Sequence, residues 1–272
     1  MPRYGLATLN HSPLHGLPTR WEAHLDAAVA AGFDAIAPDV FWLRALDAEG
    51  VALPRLAEAL EARGLACMEV AGLAIGDPEP TRIEADENLR YAAALGAEFV
   101  NTRFVSEIDA GAIEHLRVLA SRFAEHGTRL ALEFSRGTKL RGVAHGRELA
   151  EALAEHGVGV TLDTWHFCLS PEGPDWAALE ALPLAALANV QLSDGVPYAE
   201  GRFVQATMHE RRLPGEGGFD LARCARILGG KGFDGAIVVE VLNAELRNES
   251  LEVFARRAAE SARVAFGDRL RE

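Results

Sequence analysis

Five segments of this chain repeat one plan: AAGFDAIAPDV, EARGLACMEV, AALGAEFVNTRF, AEHGTRLALEFS and AEHGVGVTLDTW. Each joins the end of an Ala-, Leu- and Glu-rich helical pattern to a glycine and then to a short β-prone apolar run. The glycines, Gly32, Gly64, Gly96, Gly127 and Gly157, recur at intervals of 32, 32, 31 and 30 residues. Glycine just past a helix adopts the left-handed conformation that stops it and turns the chain into the next element. A period of about 30 residues made of helix plus strand is a βα unit, and serial βα units build a parallel sheet. LAALANVQLSD extends the series without its glycine, GGKGFDGAIVVEV resumes it at Gly232, and YGLATLN supplies a first strand.

Eight strands are predicted, near 4–9, 34–40, 65–71, 98–104, 129–134, 158–163, 188–193 and 236–241. Eight such units in 272 residues predict an α/β fold, a single (β/α)8 TIM barrel. It is expected to span 1–272 as one domain, with a C-terminal helix at about 244–266 closing the barrel. A doubly wound open sheet is the alternative, but no GxGxxG follows the first strand. No Pro/Ser-rich linker divides the chain.

The formal charge of −13 and pI near 5.2 argue against a nucleic-acid partner, which calls for a basic face. No apolar run approaches the 18 residues of a membrane span, and MPRYGLATLN lacks the apolar stretch expected of a signal peptide. Cys67, Cys168 and Cys224 are odd in number and far apart, so a disulfide framework is not implied and a cytoplasmic location is expected.

In a parallel barrel the active site gathers at the carboxyl ends of the strands. Four polar residues interrupt apolar strands there: Glu133 after LAL, Asp163 after VTL, Gln191 after ANV and Glu240 after IVV. They fall on the fifth to eighth strands, which are neighbours in a barrel wall. Three carboxylates converging in a low-dielectric mouth repel one another unless a cation sits among them. One divalent ion resolves this. The oxygen-rich set favours Mn or Mg, with Co or Zn as further possibilities.

His166, three residues past Asp163, suits proton transfer near neutral pH. Cys168 reads as a core cysteine. The stretch HERRLPGEGGFD, at 209–220, lacks the Lys-Ser of a phosphate loop, but Arg211 and Arg212 in it could clamp a carboxylate or phosphate. It belongs to a long connection from Asp194 to Gly218, the kind that forms lids and binding loops. Glu69, Arg103 and Asp39 on earlier strands are candidates to read substrate hydroxyls. Trp42, Phe104 and Trp165 are candidates for an apolar wall.

LALEFS, LDTWHF, VQLSDG, RRLPGEGGFDL and VVEV, in this order, resemble the xylose-isomerase-like TIM barrels. That superfamily includes sugar (phosphate) isomerases and epimerases, inosose isomerases and dehydratases, 3-dehydroshikimate dehydratases and endonuclease IV. The resemblance covers nearly the whole chain. It implies a metal held by Glu133, Asp163, Gln191 and Glu240, with His166 near the substrate. Arg212 stands where the family contacts substrate, with Arg211 the weaker candidate.

Many of the epimerases carry histidine where this chain has Gln191. Glutamine there is similar to the 3-dehydroshikimate dehydratase branch. The endonuclease branch uses several more histidines.

The reaction so implied is isomerisation or epimerisation of a small hydroxy-ketone, possibly anionic, through an enediolate. Glu133 and Glu240 are then the two-face proton pair. A dehydratase-type lyase with His166 as base is the second reading, and an inactive small-molecule-binding barrel the third. A homo-oligomer is compatible with all three.

Overall fold

The computed structural model describes residues 1–271. Its strands are β1 (Arg3–Ala7), β2 (Ala35–Ala37), β3 (Ala66–Cys67), β4 (Glu69–Ile75), β5 (Phe99–Phe104), β6 (Arg129–Glu133), β7 (Val158–Asp163), β8 (Leu187–Leu192) and β9 (Ala236–Val239). All neighbours run parallel, in the order β3-β2-β1-β9-β8-β7-β6-β5-β4. β3 pairs with β2, β4 pairs with β5, and only Met68 separates β3 from β4. The two short strands therefore form one stave, and a parallel bridge from Asp39 to Ala71 completes the ring. The fold is the α/β TIM barrel that the repeat predicts, with its third strand split.

The repeat glycines do what their position demands. Gly32, Gly64, Gly96, Gly127 and Gly157 have φ of 74°, 66°, 63°, 76° and 74°, the left-handed region in which a Cβ is penalised. The irregularity in the third stave has a local cause too. Gly72 sits at φ 141°, the register with β5 shifts between Ala71 and Leu73, and a Cβ at Gly72 would stand 2.5 Å from Val40 Cγ2.

The C-terminal helix runs Leu251–Ala262, later than the expected 244, because Ser250 Oγ accepts the Val253 N–H and caps it there. Leu246–Asn248 forms only a short 3-10 turn before it, and a wider turn carries Arg263–Gly267 beyond it.

Two apolar layers result from strand alternation. Val158, Val160 and Leu162 of β7 join the large core between barrel and helices, as do Leu130 and Leu132 of β6. A separate, smaller cluster fills the lower barrel with Ala7, Ala35, Ala37, Met68, Phe99, Ala131, Ala188, Ala236 and Val238. The alternate positions further along the same strands therefore project into the upper barrel, and these carry the polar residues.

Candidate active site

Glu133 is the last residue of β6 and Asp163 the last of β7, and both stand in phase with the inward positions. Gln191 pairs in register with Asp163, and Glu240 follows β9 immediately. The four oxygen-bearing side chains thus come from four adjacent staves at one level.

Asp163 is fully buried. Its Oδ1 accepts the Trp165 N–H at 2.7 Å and so caps the short helix Thr164–Cys168. That helix turns His166 back over the strand end, where its Nε2 lies 3.6 Å from Asp163 Oδ2 and 3.9 Å from Glu133 Oε1. Glu133, Asp163 and His166 offer ligand atoms that all lie within 4.8 Å of one another. Thr164 fastens the ends of β7 and β8 together, donating to Ser193 O at 2.7 Å and accepting the Ser193 N–H.

The two arginines part company. Arg211, expected as the weaker candidate, is almost wholly buried, and its Nη1 lies 3.1 Å from Asp163 Oδ2 and 3.3 Å from Glu240 Oε1. Its Nε donates to Thr207 O, and its guanidinium lies 5.6 Å over the Trp165 ring. Arg212 is exposed and donates to the Glu216 carbonyl; its backbone pairs with Asp194. Adjacent residues in an extended bridge point to opposite sides, so one arginine enters the cluster and the other turns outward.

Glu69 and Asp39 are both occupied. Glu69, fully buried, accepts from Asn189 Nδ2 and, at 2.8 Å, from Gln191 Nε2. A carboxylate can only accept, so it takes the NH2 of each amide and leaves Gln191 Oε1 buried without a hydrogen-bond partner. Asp39 accepts from Thr8, Ser12 and the N–H groups of Phe41 and Trp42, which caps the next helix. Arg103 lies near enough for its charge to lower the pKa of Glu133. Trp165 is buried, donates Nε1–H to Thr207 Oγ1 and stacks 6.0 Å from Tyr198, so it forms the wall beneath Arg211.

Two residues not singled out as candidates complete the site. Asn189 and Ala188 both join inward clusters because the register between β7 and β8 shifts at this point, a bulge that plain alternation does not reveal. Asp194 is buried and accepts the N–H groups of Gly195, Gly215 and Phe219, which holds the Arg211 loop over the mouth. Its only sequence sign is its place in VQLSDG.

The electrostatics are one-sided. Burial and the charges of Asp163 and Glu240 push the Glu133 carboxyl up to about 8. Burial, opposed by Arg211, leaves Glu240 at about 7, and burial puts Glu69 at about 7. Burial lowers His166 to about 4, so its ring is neutral at pH 7. Three carboxyls, those of Asp163, Glu240 and the half-buried Glu133, thus surround one buried guanidinium, with the buried Glu69 acting on Glu240 beyond them. The surplus of negative charge, the orphaned Gln191 oxygen and a neutral imidazole make a donor set that fits a divalent cation.

A model of the xylose isomerase-like TIM barrel family matches residues 25–261. No curated protein matches the sequence. Among solved structures, the IolI protein with a bound zinc atom superposes with a TM-score of 0.85 at 17% identity, covering 99% of this chain and 100% of that one. A probable 3-DHS dehydratase, AsbF, from Bacillus anthracis gives 0.75 at 14% identity, with 94% and 98% covered. D-allulose 3-epimerase from Methylomonas sp., in complex with D-allulose, gives 0.72 at 17% identity, with 97% of each chain covered. At such identities the structural likeness speaks for the fold, while the family match spans most of the chain. This protein belongs to the xylose isomerase-like TIM barrel family.

Proposed function

We propose that this protein is a divalent-metal-dependent isomerase or epimerase of a small hydroxy-ketone, such as a sugar or polyol-ketone. The observation that carries the reading is the convergence of Glu133, Asp163, Gln191 and Glu240 at the ends of four adjacent staves, with His166 against two of them. Glu133, Asp163, Gln191 and Glu240 would hold the ion, with His166 at its side. When bound, a divalent cation supplies Lewis-acid stabilisation of negative charge developing on a substrate carbonyl oxygen. Mn or Mg suits the oxygen-rich set, and the zinc in the IolI structure keeps Zn among the possibilities.

The chain's own groups perform the proton work. A hydroxy-ketone in the mouth meets Glu133 from β6 on one side and Glu240 from β9 on the other. One carboxylate takes the proton from the carbon beside the carbonyl, and the other returns a proton to the opposite face or the neighbouring carbon. Arg211 holds Asp163 and Glu240 in place while Glu240 takes up or gives up its proton, and Trp165 keeps water from beneath the guanidinium. His166, neutral and over the strand end, is placed to exchange a proton with a substrate hydroxyl.

Likeness to D-allulose 3-epimerase supports this reading. Gln191 and likeness to the probable 3-DHS dehydratase support a second one, loss of a β-hydroxyl with His166 as base. One experiment separates them. Metal-loaded protein is incubated in D2O with ketoses, inososes and 3-dehydroshikimate. Deuterium entering the α-carbon of a ketose with change of configuration is the expected result. Aromatic absorbance from 3-dehydroshikimate alone would replace the first reading with the second. Tight metal binding with neither reaction would leave a binding barrel.

A further inference from the structure

A second cavity, of ≈ 220 Å³, lies on the catalytic side of the barrel between the loop after β1 and the loop after β9. It shares no residue with the carboxylate cluster. His11, His24, Arg20, Arg247, Asn248 and Glu249 line it, with Leu17 and Pro18 as an apolar edge.

Its polar atoms are unusual. His11 is only 6% exposed, yet neither ring nitrogen makes a well-formed hydrogen bond among the described residues, the Leu246 backbone being its one polar neighbour of that kind. His24 is 3% exposed, and its Nδ1 lies 2.8 Å from the Thr19 carbonyl. A carbonyl only accepts, so Nδ1 carries the proton and Nε2 is a bare acceptor, buried and unpartnered. Glu249 Oε2 is likewise buried and unpartnered, while its Oε1 pairs with Arg257. Orphaned buried polar atoms are rare because each forfeits its hydration, and three residues around one cavity share the fault.

The two cations lack an ion-pair partner among the described residues. Arg20, exposed at the rim, makes no ion pair or side-chain hydrogen bond among the described residues, and it is the one non-glycine residue among them with positive φ, at 41°. It occupies the N-cap of helix Trp21–Ala30, which has no side-chain cap. Among the described residues Arg247 donates only to neutral groups, the carbonyls of Asn10 and Met208 and the ring of His209. Leu251, the first residue of helix Leu251–Ala262, also lines it, so the starts of two helices border the cavity. In a chain of net charge −13 this is a locally positive pocket.

We infer that this cavity binds a small oxyanion that also carries a hydroxyl, a monoprotonated phosphate or a hydroxycarboxylate. The anionic oxygens face Arg20, Arg247 and a His11 N–H. The hydroxyl hydrogen satisfies His24 Nε2 or Glu249 Oε2, an acceptor pair that a bare dianion would repel. The volume is several times the roughly 30 Å³ of a water molecule, which suits a group of this size. The inference is independent of the reaction proposed above.

Calorimetric titration of the full chain with inorganic phosphate, malate and succinate tests it. Phosphate or malate should bind saturably, and succinate, which lacks the hydroxyl, about tenfold more weakly. Arg20→Gly removes the guanidinium yet suits φ 41°, so its Tm should equal or exceed that of the parent chain while anion affinity falls about tenfold or more. No saturable binding, or unchanged affinity in Arg20→Gly, overturns the site. Equal affinity for malate and succinate overturns the role of the hydroxyl. Competition of fructose 6-phosphate, but not fructose, with inorganic phosphate would place the anion on a sugar. Absence of competition would make the free anion the ligand.

Discussion

At the scale of single residues, Glu133 and Asp163 hold no structural partnership that replaces a cation, apart from the Arg211 pair and the cap at Trp165. Replacing either by Ala is therefore expected to abolish metal binding and activity while leaving circular dichroism unchanged. Retained metal stoichiometry by elemental analysis would remove that residue from the ligand set. Glu69 acts through Gln191, because it dictates which end of the amide faces the carboxylates. In Glu69→Gln a side-chain carbonyl or amine can meet Gln191, so its orientation is no longer forced. Metal affinity should fall by about 10- to 100-fold, the range for lost supporting hydrogen bonds to ligands, with Mn titration as the measurement. Arg211→Ala leaves buried acids without their internal cation and should destabilise the metal-free protein by about 3–5 kcal/mol. Arg212→Ala, at an exposed position, should stay within about 0.5 kcal/mol and barely change kcat/KM. A large kinetic loss in Arg212→Ala alone would restore it as the substrate clamp.

At the scale of elements, the long connection after β8 is ordered by one side chain. Asp194 gathers three backbone N–H groups from both ends of the loop, and Gly217 lies so close that a Cβ there would meet Asp194 Oδ1 at 2.1 Å. Charge-assisted hydrogen bonds contribute about 1.5–3 kcal/mol each and are not additive within one cluster. Asp194→Ala is expected to destabilise by about 3 kcal/mol and to expose the segment 195–219 to proteolysis before the barrel itself. Cleavage elsewhere at equal rates would mean the loop holds itself. Because Arg211 rides on this loop, kcat should fall together with loop order.

At the scale of the molecule, two sets of buried groups oppose each other as pH changes. His11 and His24 titrate near 4 in the folded chain, below the ordinary 6.5, because burial penalises their charged forms. The unfolded chain binds more protons between these values, so stability is lost as pH falls from about 6.5 towards 4. Glu133, Glu240 and Glu69 titrate near 8, 7 and 7, above the ordinary 4.5. There the folded chain binds more protons, so stability is lost as pH rises from about 4.5 towards 8. Metal-free protein should accordingly show a Tm maximum in mildly acidic solution. A divalent ion at 100 times its Kd adds about 2.7 kcal/mol, and it should lift the alkaline arm while leaving the acid arm in place. Equal lifting of both arms would point to binding away from the carboxylates.

What the sequence determined by itself is what short range can encode. Helix stops at the repeat glycines, strand alternation and polar residues breaking apolar runs are local events, and the barrel and its inward carboxylates follow from repeating them. Glu133, Asp163, Gln191 and Glu240 were legible for that reason. Tertiary structure alone decided the partners. Glu69 meets Asn189 and Gln191 across 120 and 122 residues, a juxtaposition that exists only once the ring has closed and the β8 bulge has set the register. Arg211 and Arg212 are chemically equal neighbours, and the bridges of Arg212 to Asp194 and of Glu210 to Asn243 determine which of them turns inward. The histidine-lined cavity likewise needs the first and last βα units side by side, and closure of the barrel puts them there.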